Sequence, residues 1–209
     1  MTDILYSFRR CPYAMRGRLA IHVAGLRLEH REILLRDKAP EFLEASPKGT
    51  VPVVVTSDLV IEESLDVMLW ALAQNDPENW LHDKDASLAL IAHNDGPYKQ
   101  ALDRYKYANR HDNDPETWRG LGAETLATYD ATLSKTSYLL GDHPRLADMA
   151  IFPFVRQFAN TDRMWFDAQP WPHLQKWLAG HLASDRFDDI MVKRPKWQAG
   201  DPTTLAPTA

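Results

Sequence analysis

The chain has one cysteine in 209 residues, Cys11, which excludes an intramolecular disulfide framework and fits a reducing compartment. No apolar run approaches the ~20 residues of a membrane span, so no membrane partner is expected. The opening stretch, Met1 to Tyr13, lacks an apolar core followed by a small-residue cleavage site. It does not read as a signal peptide, and a cytoplasmic location is expected. Basic residues number 24 against 29 acidic ones, a net charge of −5, which argues against a general nucleic-acid binder. There is no G-x-G-x-x-G, no P-loop and no H-E-x-x-H. The eight histidines are scattered without metal-ligand spacing, so no metal is expected. Internal repeats and low-complexity tracts are absent too.

What is present is an ordinary globular composition, 44% hydrophobic and 25% charged, with seven Trp to fill an interior. A chain of this length buries roughly 70% of its unfolded surface and needs no staple. Charge is unevenly spread. Residues 1–40 hold eight basic side chains (Arg9, Arg10, Arg16, Arg18, Arg27, Arg31, Arg36 and Lys38) and four acidic ones (Asp3, Glu29, Glu32, Asp37). That segment is +4, which leaves −9 for the rest of a chain whose total is −5. Two readings follow: a solvated basic face, or a site for a small anionic ligand near the N-terminus.

Hydrophobic patterning divides the chain. Ile4 to Phe8 is β-prone, and Pro12 opens a helical pattern with Met15, Leu19, Val23 and Leu26 on one stripe. Proline suits the first helical position, which makes Cys11 the N-cap, and Gly25 is a plausible stop. Glu29 to Leu35 reads as a second strand and Pro40 to Ala45 as a short helix. Val51 to Val55 and Leu59 to Ile61 form a hairpin through Thr56-Ser57-Asp58. Leu65, Met68, Leu69 and Leu72 mark a helix from about Glu63. The order is β-α-β-α-β-β-α, in which β-α-β predicts a parallel pair and the hairpin an antiparallel one. After a polar linker the pattern is helical over 85–111 (broken at Gly96-Pro97), 115–139, 146–161 and 171–191 (split near Ser184). The predicted division is therefore an α/β domain over 1–76, a linker over 77–84, an all-helical domain over 85–195, and an irregular, partly mobile tail over 196–209.

Cys11-Pro12-Tyr13-Ala14 follows a strand and opens a helix. A helix N-terminus presents unpaired N–H groups and about half a positive charge, which favours a thiolate. An unperturbed thiol with pKa ~8.5 is only about 3% ionised at pH 7, so such a position matters for reactivity. This motif resembles that of glutaredoxins and of the cysteine-type, omega-like glutathione S-transferases. Three further features match in order and spacing. Thr50-Val51-Pro52 stands where that superfamily has a cis-proline. Ile61-Glu62-Glu63-Ser64 holds its Glu-Ser pair. Leu146-Ala147-Asp148-Met149-Ala150-Ile151-Phe152-Pro153-Phe154 is similar to the core helix of the transferase C-terminal domain.

The resemblance spans nearly the whole chain. It implies a thioredoxin-like N-terminal domain with an all-helical C-terminal domain, glutathione as co-substrate, and a homodimer. It further implies that Cys11 sits beside the glutathione sulfur with Tyr13 nearby. Val51, before Pro52, would pair its backbone with the cysteinyl part of the ligand. Glu63 would take the γ-glutamyl ammonium and Ser64 its carboxylate. Lys38 would reach the glycyl carboxylate, with Arg36 as its rival. Tyr98, Tyr105, Tyr107 and Trp118 fall in the helices; as a stripe they read as core, while Tyr105 and Trp118 are the candidates for an acceptor pocket. Two departures from the family pattern are visible. Arg145 stands where the family has Ser or Thr three residues before the Asp, which leaves Asp148 without its usual capping partner. Ala14 stands where a resolving cysteine would be, so external glutathione must resolve a mixed disulfide. The implied activity is thiol transfer or deglutathionylation on a glutathione mixed disulfide. A conventional conjugating or dehalogenating transferase acting on a small electrophile, or a non-catalytic binding module, are the alternatives.

Overall fold

The computed structural model describes residues 2–111 and 114–209, and the chain forms two compact units. One runs to Glu78 and resumes over Ala183–Ala209; the other is Asn79–Leu182. The first contains β1 (Ile4–Ser7), α1 (Pro12–Val23), β2 (Glu29–Glu32), α2 (Pro40–Ala45), β3 (Val53–Val55), β4 (Val60–Ile61) and α3 (Ser64–Gln74). Strand order is β2-β1-β3-β4, with β1 parallel to β2 and antiparallel to β3, and β3 antiparallel to β4. The hairpin closes as the sequence predicts: the Thr56 hydroxyl accepts from the Asp58 and Leu59 N–H groups, a side-chain turn that fixes register. Helix α1 starts at Pro12 with Cys11 as N-cap. It is followed by Gly25 at φ 68°, the left-handed residue that stops it.

The sequence placed residues up to 195 with the helical half, and here the structure differs. Helix α10 (Asp185–Ile190) belongs to the first unit, where Phe187 and Ile190 are buried and the Arg18 guanidinium donates to the Ile190 carbonyl at 2.9 Å. A buried cation on α1 needs that carbonyl, a demand invisible to hydrophobic periodicity. The tail is irregular, as expected, but tied down. Leu205 bridges Glu29 in antiparallel fashion, the His30 N–H donates to the Thr204 carbonyl at 2.7 Å, and the Ala206 N–H to the Leu28 carbonyl at 2.8 Å.

The second unit contains α4 (Lys84–His93), a π turn at Asn94–Tyr98, α5 (Lys99–Lys106), α6 (Pro115–Leu133), α7 (Leu146–Ala159), α8 (Arg163–Asp167) and α9 (Pro172–Leu182). The break expected at Gly96-Pro97 is the π turn: Pro97 lacks an N–H, and the wider turn carries the chain past it. Helix α6 stops six residues short of the expected 139. Ser134 and Thr136 donate their hydroxyls to the Ala131, Thr132 and Tyr138 carbonyls, offering the backbone a non-helical alternative. The five-residue α8, capped by the Asp162 carboxylate, was too short to read from periodicity. Among the described residues no helix is long and apolar enough to cross a membrane.

Asp148, at the third position of α7, does not lack partners. Its carboxylate accepts from the Arg145 N–H (2.9 Å), the Leu139 N–H (2.9 Å) and the Trp177 indole N–H (3.0 Å). Only half of a capping box exists, because a guanidinium has no acceptor to return the bond. The Arg145 side chain instead donates to the Asn79 carbonyl at 3.0 Å. Burial pushes the Asp148 carboxyl above its ordinary value, and the three N–H groups pull it back only in part.

Candidate active site

The β1–α1 loop carries the chemistry. The Cys11 N–H donates to the Phe8 carbonyl at 3.0 Å, closing a turn over Arg9 and Arg10. Two charged side chains hold this turn, Arg18 buried and Glu32 part-buried. Arg18, one turn and a half into α1 and only 2% exposed, donates to Arg9 O at 2.7 Å, Phe8 O at 3.3 Å and Ser7 Oγ at 2.5 Å. Burial lowers its guanidinium to about 10, with the Glu32 carboxylate opposing that shift. Glu32, at the end of β2, accepts the Arg9 N–H on Oε1 at 2.7 Å and contacts His30 Nε2 through Oε2 at 3.1 Å. Both backbone groups of Arg9 are thereby fixed two residues ahead of Cys11.

Cys11 is half-buried at the N-terminus of α1, and its thiol donates to the Val51 carbonyl at 3.8 Å. The Val51-Pro52 peptide is cis. Gly17, on the face of α1 toward that loop, is small where it must be: a Cβ there would stand 3.3 Å from Pro52 and 3.2 Å from Val67. Cys11 and Phe8 pack against a cluster formed by Tyr6, Ala14, Ile33, Ala39, Phe42, Val51, Val53 and Trp197.

Ser64 is the first residue of α3 and is 6% exposed; Glu63 is its N-cap and projects outward. The fully buried Arg16 donates to Ser64 Oγ at 3.5 Å and lies over the Tyr13 ring at 5.5 Å from its centroid. The structure thus links Cys11 to Val51 and Pro52, and Tyr13 through Arg16 to Ser64. Glu63 is paired with Lys48, a partner the sequence did not reveal. Lys38 is half-buried, with its ammonium beside Gly49, whereas its rival Arg36 is exposed. Of the two readings of the basic segment, neither covers all eight cations: Arg16 and Arg18 are interior groups, and Arg31 is paired with Glu29 at 2.8 Å. Their interior role was hidden because Met15, Leu19 and Val23 mark one buried stripe, while α1 is in fact buried on nearly every side.

In the helical unit, Tyr98 and Tyr105 are core residues against Phe158, at centroid distances of 5.9 and 5.1 Å. Tyr105 is 9% exposed and packs on Phe158. Trp118 is half-exposed, with the Arg104 guanidinium 4.6 Å from its ring centroid.

Comparison with known proteins bears on the family and the fold. The model of the glutathione S-transferase N-terminal domain matches residues 5–80, and that of the C-terminal domain matches residues 96–180. A probable glutathione S-transferase, parA of Nicotiana tabacum, is 27% identical over 174 residues, covering 76% of this chain and 74% of its own. Glutathione S-transferase omega-1 of Mus musculus is 24% identical over 190 residues, covering 84% and 74%. Glutathione S-transferase 1 of Dianthus caryophyllus is 40% identical, but over 84 residues that cover 39% of this chain and 38% of that relative. Among solved structures, glutathione transferase Omega 3C from Trametes versicolor aligns with a TM-score of 0.77 at 17% identity, covering 95% of this chain and 87% of that one. A Pseudomonas fluorescens glutathione transferase family member with two glutathione bound aligns at 0.76 and 19%, covering 91% and 92%. With a thioredoxin-like sheet unit, a helical unit, and both domain models matched in order, the chain belongs to the glutathione S-transferase family.

Proposed function

We propose that this transferase is of the cysteine type, with Cys11 as a monothiol nucleophile for glutathione-dependent thiol transfer. The observation that carries the reading is the placement of the chain's one cysteine: half-buried, at the N-cap of α1, with its sulfur on the carbonyl that precedes cis Pro52. The rival hydroxyls near it are spent elsewhere. Tyr6 Oη accepts from Arg31 at 2.8 Å, and the fully buried Ser7 Oγ accepts from Arg18.

The chemistry follows from a single thiol. The Cys11 thiolate attacks the glutathione sulfur of a mixed disulfide and the substrate leaves as a thiolate, which takes a proton from solvent. A second glutathione thiolate then attacks the Cys11–glutathione disulfide, forming oxidised glutathione and restoring Cys11. The residues in place suit an anionic tripeptide. Val51 offers main-chain pairing beside Cys11. Ser64 offers a hydroxyl and the N-terminus of an eleven-residue helix to the γ-glutamyl carboxylate. Glu63 would take the ligand's ammonium in competition with Lys48. Lys38 would take the glycyl carboxylate, and Tyr13 would lie near the sulfur. Trp118, rather than Tyr105, has the exposure to meet an acceptor. We also propose a cytoplasmic homodimer, for which sedimentation at micromolar concentration is the test.

Turnover of a glutathionylated thiol and of an aryl halide by wild type, Cys11→Ser and Cys11→Ala decides the reading. Thiol transfer is lost in both variants while glutathione binding persists. If Cys11→Ala keeps thiol-transfer turnover, the cysteine assignment is wrong and the conventional conjugating reading, with Tyr13 as the remaining hydroxyl, replaces it.

A further inference from the structure

We propose that the C-terminal segment from Arg194 to Ala209 is a positioning strap for the Cys11 loop, and that Glu32 is the residue through which it acts. The inference goes beyond the nucleophile assignment but rests on it for its functional consequence.

Strand β2 is the edge of the sheet, so its outer N–H and C=O groups need a partner. The strap supplies it through Thr204, Leu205 and Ala206 against Leu28, Glu29 and His30. Covering an edge requires only these main-chain bonds. Three further contacts reach toward the site. The Trp197 N–H donates to the Glu32 carbonyl at 2.9 Å, and the carboxylate of that same residue holds the Arg9 N–H. The Trp197 ring is buried edge-on against Tyr6, 6.3 Å between centroids, with the Arg31 guanidinium 4.2 Å from its own centroid. It thereby joins the cluster that includes Val51 and against which Cys11 and Phe8 pack. Lys196 pairs with Asp37, the neighbour of Lys38. The strap therefore bears on the segments carrying Cys11, Val51 and Lys38, and Glu32 couples its backbone to the loop ahead of Cys11.

The test uses the full-length protein with Glu32→Ala, Glu32→Gln, Trp197→Ala and Trp197→Phe. Glutamine keeps an oxygen for the Arg9 N–H and an amide for His30, so it preserves the geometry without the charge. Expected in Glu32→Ala and Trp197→Ala are Arg9 amide exchange about tenfold faster or more, the worth of a bond to a charged acceptor, and a raised glutathione KM with kcat little changed. Far-UV circular dichroism stays that of the parent, and Glu32→Gln and Trp197→Phe recover both readouts. The proposal is overturned if Arg9 exchange and glutathione KM are unmoved in either folded alanine variant, or if Glu32→Gln is as defective as Glu32→Ala. If Trp197→Ala does not fold, the two Glu32 variants decide. Arg9 exchange is measured without glutathione, so the strap is judged even where Cys11 proves not to be the nucleophile.

Discussion

Removing the Asp148 carboxylate tests how the helical unit is held together. Asp148→Ala leaves three N–H groups without their acceptor, those of Leu139 and Trp177 buried and that of Arg145 part-buried. An unmet buried donor costs about 1–3 kcal/mol, and the acceptor here is charged. Removing a desolvated carboxylate returns part of that sum. The net cost is about 3–5 kcal/mol, which for a chain of this length lowers Tm by roughly 10 °C. Asp148→Asn keeps one acceptor oxygen but turns its NH2 on a third donor, so it falls between parent and alanine. Trp177→Phe removes one donor, and the double variant Asp148→Ala/Trp177→Phe loses less than the sum of the two. Burial raises the Asp148 carboxyl in the folded state, so the folded protein binds that proton more tightly than the unfolded one. The parent accordingly has a component of stability that is lost as pH rises from the ordinary carboxylate value through the raised one, and Asp148→Asn lacks that slope. Thermal and urea unfolding at several pH values read all of this. A loss below about 1 kcal/mol in Asp148→Ala, or strict additivity with Trp177→Phe, would refute the assignment of these bonds as the tie between α7, α9 and the 134–145 loop.

Ser64→Ala and Glu63→Ala each weaken glutathione binding by about 1–3 kcal/mol, read by titration calorimetry, and unchanged affinity in both removes the γ-glutamyl placement. Lys48→Ala leaves the melting temperature unchanged, because its pair with Glu63 is exposed. Gly122→Ala sets a Cβ 2.5 Å from Phe158 Cε2, between α6 and α7, and costs about 1–3 kcal/mol in urea unfolding. Arg18→Met costs about 2–4 kcal/mol by the same measurement, because the Arg9, Phe8 and Ile190 carbonyls lose their donor; Arg18→Lys does not restore it, since one ammonium cannot span all three.

What the sequence disclosed and what it withheld divide along a physical line. Local signals carried the first 75 residues: Pro12 and Pro40 at helix starts, Gly25 at a stop, and the β-branched run at Val53 were each decided by neighbours in sequence. The parallel β1–β2 pair and the antiparallel β3–β4 hairpin followed from the order of elements, whereas the pairing of β1 with β3 did not. Groups whose partners lie far along the chain were hidden. Arg18 binds a carbonyl 172 residues away, the Lys48–Glu63 pair spans 15, and Lys196 reaches 159 residues back to Asp37. The tail looked loose because it has no periodicity, yet a lone Trp197 among prolines was a sign of docking. Tyr105 and Trp118 could not be told apart, since helical spacing places an aromatic on a face without saying whether that face is covered.

The Cys11 loop shows why the withheld part matters for function. Phe8 to Cys11 is a four-residue turn, too short to fix a thiol by its own bonds. Its Arg9 backbone groups are held by side chains of opposite charge, Glu32 on the N–H and Arg18 on the carbonyl, both at 2.7 Å. Burying a charge to hold a peptide group is weak evidence for stability, because desolvation consumes much of what the bond returns. Burial accordingly lowers the Arg18 guanidinium to about 10. An apolar pair of similar volume would fill the space but could not orient a peptide plane, since only directional donors and acceptors do that. The arrangement makes sense where the position of the sulfur beside the Val51 carbonyl, rather than the stability of the turn, is what the surrounding residues must secure. By the same reasoning the two ions should be separable by phenotype. Arg18 also anchors α10 and its loss destabilises the unit, whereas Glu32, whose bonds end at Arg9, His30 and the strap, acts chiefly on the site.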